Sequence, residues 1–344
     1  MLPAPPSPPL RGDRSTARAG VAGGLAVLLL VVATAGVVMG VRHHAEAADA
    51  RDDAAVALRA PLPADVLTRL GDEVGAALAR FVGVPLGGES PVSFEDTVEA
   101  MDKALASFRA RVTGGSKDEA DAFGPALDRT DAAIHGLRAR VPMAPDLTRL
   151  DEAQTVIAGY EAAILDLLAA DSSYRQDLIG DATIRRGVEL HDLAVKQAYT
   201  VRRLSTLLTV TSARGGLTTS DAVADVSAGA SQLRTNDRAI GAEATGPYRA
   251  AAHTLLTDPA HDALTRQVSD ALQGRAGGPV QVVQLDASLY TDFRHRVERA
   301  VATHADDRAA AHRAAQVEAF AVAVVAGLLA AAAAAVAVRA ARRS

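Results

Sequence analysis

The chain of 344 residues has no cysteine and no tryptophan, and aromatic residues make up only 3% of it. Without cysteine there is no disulfide framework, no thiolate metal site and no cysteine nucleophile. Few aromatics and abundant alanine point away from sheets and towards helices packed through Ala, Leu and Val. Strand character is confined to "VQVV" at Val280–Val283, too little for a sheet. Lysine is scarce too: Lys103, Lys117 and Lys196 stand against 33 arginines, a bias of GC-rich coding rather than of chemistry. There is no Walker loop, no G-x-S-x-G elbow, no kinase motif and no Glu-x-x-His pair of the kind that builds a bundle di-metal centre. These absences predict an all-α protein that is not an enzyme and carries no cofactor.

What the chain does have is two long apolar runs. Val21–Val41 is 21 residues without a charge, and Ala319–Val338 is 20. Each is long enough to cross a bilayer core as a helix. The first exceeds the 7–15 residues of a signal-peptide core, so a retained anchor is expected, although "AEA" at Ala45–Ala47 would suit a peptidase. Arg11, Arg14 and Arg18 precede the first run, and Arg339, Arg342 and Arg343 follow the second. By the positive-inside rule both ends are then cytoplasmic and the middle lies outside. The expected organisation is a disordered, proline-rich cytoplasmic tail (1–20), a first span (21–41), an extracytoplasmic helical bundle (42–316), a second span (317–338) and a basic cytoplasmic tail (339–344). Residues 42–316 hold 30 basic and 39 acidic side chains, a formal charge of −9. That balance disfavours nucleic acid and anionic membrane surfaces as partners of the outer part, so an anion would need a local site.

Helical periodicity runs through the middle segment. Leu67, Leu70, Val74, Leu78 and Phe81 recur every three or four residues after Pro61 and Pro63. Further helices are predicted over Phe94–Val112, Asp118–Val141, Leu147–Ala170 and Ala182–Arg214. The last of these stops at Gly215-Gly216; a new helix follows the caps Thr218, Thr219 or Ser220, and a shorter one has Pro259 in its first turn. From Asp286 to Ala326 there is neither glycine nor proline, so the final outer helix can run unbroken into the second span. Its outer part would be roughly 46 Å long. It is either a rod that passes helix shifts to the membrane or simply a long bundle helix. His304 and His312 share a face of it with Arg308 between them, the pattern of a solvated stripe rather than of metal ligands.

One stretch asks for an explanation. "VRRLSTLLTVTSARGGLTTSD" places Arg202 and Arg203 side by side on a helix whose core stripe is Leu190, Leu193, Val201, Leu204 and Leu208. Arg203 flanks that stripe with Thr200, Thr206 and Leu207 beside it, while Arg202 lies farther round. Arginine's planar fork matches flat oxyanions, so Arg203 is an inward ligand, one arm of a structural salt bridge or an exposed flank.

Together with "GYEAAILDLLAADSSY" and "HDLAVKQAYTVRRLSTLLTVTSARGGLTTSDAVADVSAGASQ", this stretch resembles the nitrate- and nitrite-sensing (NIT) domain family of bacterial receptors and sensor histidine kinases. The resemblance covers about Leu62 to Gln316. It implies a helical bundle that binds nitrate or nitrite between helices through arginines, a homodimer, and a histidine kinase or other cytoplasmic signalling partner. Arg203 falls on one family arginine position, with Arg202 and Thr206 as neighbours. On the first outer helix Glu73 matches the family pattern, but Val74 stands where its other arginine is expected, and neither Arg69 nor Arg80 is an obvious substitute. With six residues after Val338, the chain reads as a stand-alone receptor working through a partner or as a truncated sensor kinase. A membrane-anchored structural or adaptor bundle without a small ligand is the alternative.

Overall fold

The computed structural model describes residues 13–59, 62–82, 93–213, 220–273 and 288–342. Among them the regular structure is entirely helical, as the composition predicts. The helices are α1 (Asp13–Leu58), α2 (Ala64–Val82), α3 (Phe94–Gly114), α4 (Lys117–Arg138), α5 (Leu150–Leu178), α6 (Ala182–Ala213), α7 (Ser220–Glu243), α8 (Arg249–Leu256), α9 (Pro259–Leu272) and α10 (Ser288–Ala341). Single 3-10 turns lead into α5 and α8. Val280–Val283 lies outside the described residues. The chain divides into two compact units, residues 53–304 and the pair of segments 1–52 and 305–344.

Local chemistry sets several boundaries. Ser93 and Ser116 each accept a hydrogen bond from a backbone N–H three residues on, Asp96 and Glu119, at 3.1 Å. Each satisfies one of the free donors at a helix start. Asp258 does the same for Ala260 at 2.8 Å, with Pro259 in the first turn. Three sequence expectations shift. Helix α1 already begins at Asp13, inside the stretch read as a disordered tail. Helix α5 continues past Ala170 to Leu178, because Asp171 and Arg175 are buried rather than loop residues. Helix α4 ends at Arg138 and carries Pro125 in its interior.

In the larger unit, α2 to α5 enclose one apolar core that includes Leu70, Phe81, Met101, Phe108, Phe123, Ile134 and Ile164. Phe108 and Phe123 meet edge to face there, 5.4 Å between centroids. Helix α6 packs on α5 and on α7, and α7 packs on α8 and α9. Tyr290, Phe293, Val297 and Val301 of α10 are buried in the same unit. Gly187 allows a close approach: a Cβ there would lie 2.6 Å from Tyr248 Oη and nearer still to Val301 Cγ2.

In the smaller unit, Gly36 faces Ala319 and Ala323, and Gly40 faces the Phe320 ring. Small residues let the two backbones approach, the packing used where no hydrophobic effect drives helices together. Val27, Leu28, Val31, Val38, Val324, Val325 and Leu328 stay about 60% or more exposed. Apolar side chains turned outward over a charge-free helix suit lipid. Three helices are long and apolar enough to cross a membrane, within Gly20–Leu58, Asp151–Leu178 and Ser288–Ala341. The middle one is α5, and half of its apolar window is buried inside the larger unit, against 11% and 17% for the other two.

Two glycine substitutions should move stability in opposite directions. Gly71, exposed in α2 with nothing near its Cβ position, should gain about 0.5–1 kcal/mol as Gly71→Ala from reduced chain entropy. Gly187→Ala should lose about 1–3 kcal/mol by overpacking. Thermal melts of the full chain in detergent would show the two midpoints moving apart; a stabilised Gly187→Ala would contradict the packing described.

Candidate functional site

Polar side chains sit inside the larger unit in three clusters. In α2 the residues Val66, Leu70 and Ala77 form a buried stripe, and Glu73 falls on it with no solvent exposure. Arg138 of α4 meets its carboxylate with two prongs, Nε to Oε1 at 2.7 Å and Nη2 to Oε2 at 2.9 Å. Tyr160 of α5 donates its hydroxyl to Oε1 at 2.5 Å, and Arg138 also donates to Asp102 of α3 at 2.7 Å. Burial alone would lower the Arg138 pKa, but the Glu73 and Asp102 carboxylates more than offset it and raise it above the usual guanidinium range. Burial, then Glu73, pushes the Tyr160 phenol well up. Four helices converge on this one guanidinium–carboxylate pair.

The second cluster centres on Asp237 of α7. Its carboxylate accepts from Gln197 Nε2 of α6 at 2.9 Å and from the Tyr290 hydroxyl of α10 at 3.1 Å, and lies 2.9 Å from His261 Nε2 of α9. Asn236 donates to Gln197 Oε1 at 2.8 Å. The Asp237 carboxylate holds the His261 imidazole above its ordinary pKa. The third cluster is Arg175 of α5, fully buried. Asp171, one turn back, lies 2.7 Å from its Nε, Asp192 of α6 is 3.3 Å from Nη2, and the Ala57 carbonyl accepts from Nη1 at 3.3 Å. Asp171 also accepts the Leu62 N–H at 3.0 Å.

The residues predicted from the sequence are placed differently. Arg203 stands beside Glu161 of α5, Nε to Oε2 at 3.6 Å, with 42% of its side chain exposed. Arg202 is exposed and lies over the Tyr199 ring at 5.6 Å. The Thr206 side chain lies outside the described residues. Val74 is half-buried and packs against the α2–α5 core. Arg69 pairs with Asp72, and Arg80 with Glu95 and the Met143 carbonyl. Helices α2 and α6 both pack on α5: Tyr160 reaches the α2 carboxylate, and its neighbour Glu161 faces α6. One groove, of about 530 Å³, runs between α2 and α3 past Arg69, Lys103 and Arg111; it includes neither Arg203 nor Val74. The solvated-stripe reading of His304 and His312 is corrected: His304 lies 3.7 Å from Asp181, and His312 lies 3.2 Å from Glu46.

Glu161 gives the Arg203 position its chemical character. Its side chain is only 11% exposed, and burial pushes its pKa up to about 8 while Arg203 pulls the other way. At neutral pH the carboxyl is therefore largely protonated, and Arg203 faces a neutral acid rather than a counter-ion. Arg138 and Arg175, by contrast, already have carboxylates within 3.3 Å.

No family model, no curated protein and no solved structure matches the chain. The resemblance set out above therefore rests on the quoted residues alone, and the site rests on its geometry.

A raised carboxyl pKa has a signed consequence. The folded state keeps the Glu161 proton over a range where the unfolded state, titrating near 4.3, has lost it. This proton stabilises the fold at low pH, and its contribution is lost as pH rises towards about 8. Between pH 5 and pH 8 the full chain should lose about 2–4 kcal/mol more stability than Glu161→Gln does. Denaturant melts of both proteins at the two pH values measure the difference; equal losses would place an ionised Glu161 in the fold at neutral pH.

Proposed function

We propose that the chain is a membrane-anchored sensory receptor with two spans, both ends cytoplasmic and residues 42–316 outside. One observation carries this reading. Helix α10 is a single helix of 54 residues that bears buried bundle residues such as Tyr290 and Phe293 and, farther on, the charge-free run Ala319–Val338. A ligand that favours one position of such a helix would bias its whole length. The arginine flanks support the orientation.

The ligand proposed is a small oxyanion at Arg203, nitrate or nitrite by the resemblance to NIT domains. Support comes from a partly exposed guanidinium whose nearest carboxyl is protonated at neutral pH. Val74 supplies no second cation, so affinity should be low. A homodimer and a separate cytoplasmic kinase or other signalling partner belong to the same reading. The second reading, a structural or adaptor bundle, is favoured by the way Arg138, largely covered, and Arg175, fully buried, are occupied by internal carboxylates.

Calorimetry on the full chain in detergent, with nitrate and nitrite, separates the two. The receptor reading expects weak binding that falls by one to two decades in Arg203→Ala, the equivalent of about 1.5–3 kcal/mol for a charge-assisted contact. Val74→Arg should lower the melting temperature without anion and recover it with anion. An equal loss with and without anion, or equal binding by Arg203→Ala, would leave the structural reading.

A further inference from the structure

The smaller unit holds a polar cluster of its own that the sequence did not connect. His43 and Glu46 lie one turn apart on α1, and His312 comes from α10. Both imidazoles aim Nδ1 at one oxygen: His43 lies 3.0 Å and His312 3.2 Å from Glu46 Oε2. The two rings stand 5.7 Å apart between centroids, and each of the three side chains is 21–28% exposed. The other carboxylate oxygen, Oε1, accepts from Arg42 Nε at 2.9 Å, which leaves Oε2 to the histidines. Arg308 Nε lies 3.5 Å from His312 Nε2, the ring atom turned away from Glu46.

The dimensions suit a metal ion. Ligands about 2.0–2.1 Å from zinc in a tetrahedron are separated from one another by roughly 3.3 Å. The two nitrogen-to-oxygen distances here are 3.0 and 3.2 Å, and one donor atom of each residue can be chosen so that all lie within 4.8 Å of one another. Imidazole with carboxylate selects zinc and its first-row neighbours over magnesium or calcium, which prefer all-oxygen shells. Three protein ligands leave a fourth position for water, the arrangement of an open zinc site. The surroundings also let the helices come close, since Ala47, Ala50, Ala305 and Ala309 are all buried.

We propose that His43, Glu46 and His312 form a zinc-type divalent metal site that ties α1 to α10 directly beyond the charge-free runs. The site goes beyond the oxyanion reading and shares no residue with it, so each can fail without the other. Metal held there joins the two membrane-bound segments by coordinate bonds and stiffens them against sliding. Both imidazoles must be neutral to bind, so occupancy rises as pH increases through the histidine range. Arg42 from α1 and Arg308 from α10 are fixed positive charges beside the cluster, on Glu46 Oε1 and His312 Nε2 respectively, and they oppose a second cation there.

The test uses the tag-free full chain in detergent micelles, titrated with zinc chloride by calorimetry at pH 7.5. One ion per chain should bind, at least about tenfold more weakly in His43→Ala, in His312→Ala and in Glu46→Gln, while His304→Ala binds as the parent does. Binding should fall sharply at pH 5.5. Cobalt(II), added to the parent, should give the intense visible absorption of a four-coordinate site, and circular dichroism should show that the variants keep their helices. Absence of stoichiometric binding by the parent would overturn the site. So would parent-like binding by both histidine variants, which would reduce the cluster to an ion-paired contact between helices.

Discussion

Glu73 has no access to water, and an ionised carboxylate in that position is tolerated only when donors surround it. That requirement organises the α2–α5 group. Arg138 must arrive from α4 with both prongs aligned, Tyr160 from α5 must direct its hydroxyl to Oε1, and Asp102 of α3 accepts from Nη1 of the same guanidinium. A shift of any one helix by a turn would strand a buried charge. In an interior rich in alanine and leucine, where many registers pack almost equally well, such a pair selects one of them. Its net contribution to stability can be small, because removing two charges from water offsets most of their attraction. Asp237 plays the corresponding part for α6, α7, α9 and α10, with neutral donors and a histidine in place of arginine.

This organisation distinguishes two arginines held by close internal carboxylates from Arg203, whose neighbour Glu161 lies 3.6 Å away. Arg175 is buried and Arg138 largely covered, and both are met by carboxylates, so an incoming anion would have to displace an internal partner at shorter range. Arg203 stands at the margin of the core, partly in water, and its neighbour Glu161 is neutral around pH 7. An anion arriving there gains a guanidinium without breaking an ion pair. For the anion proposed at Arg203 the same geometry would make affinity modest: one cation, half solvated, contributes far less than a closed clamp.

Much of this was legible in the sequence, but the polar interior was missed for an identifiable reason. The charge-free runs and the α2, α3 and α9 patterns follow from spacing and caps, while the stop read at Gly215-Gly216 lies outside the described residues. The α2 periodicity read from Leu67, Leu70, Val74, Leu78 and Phe81 contains only apolar residues and so passes over Glu73. Its true phase is Val66, Leu70, Glu73, Ala77, steps of four, three and four. Ile164, Leu167, Asp171 and Arg175 in α5, Leu190, Ala194, Gln197 and Val201 in α6, and Ala230, Leu233, Asp237 and Ile240 in α7 likewise advance in steps of three and four. A charged or amide residue in phase with the core was the available signal. The partners were not legible: Glu73 and Arg138 are 65 residues apart, and only the packing of α2 against its neighbours brings them together. His43 and His312, one near each end of the chain, are the extreme case, brought together only where α1 and α10 pack through Gly36 and Gly40.

The central claim is that α1 and α10 cross the membrane and display the helices between them on the outer face. A chain without native cysteine allows a direct measurement: single cysteines at Asp118 and at Ala341, both exposed, treated in intact cells with a thiol reagent that cannot cross the inner membrane. The account predicts that Asp118→Cys is labelled in intact cells and Ala341→Cys only after the membrane is broken. Labelling of Ala341→Cys in intact cells, or protection of Asp118→Cys until lysis, would contradict it.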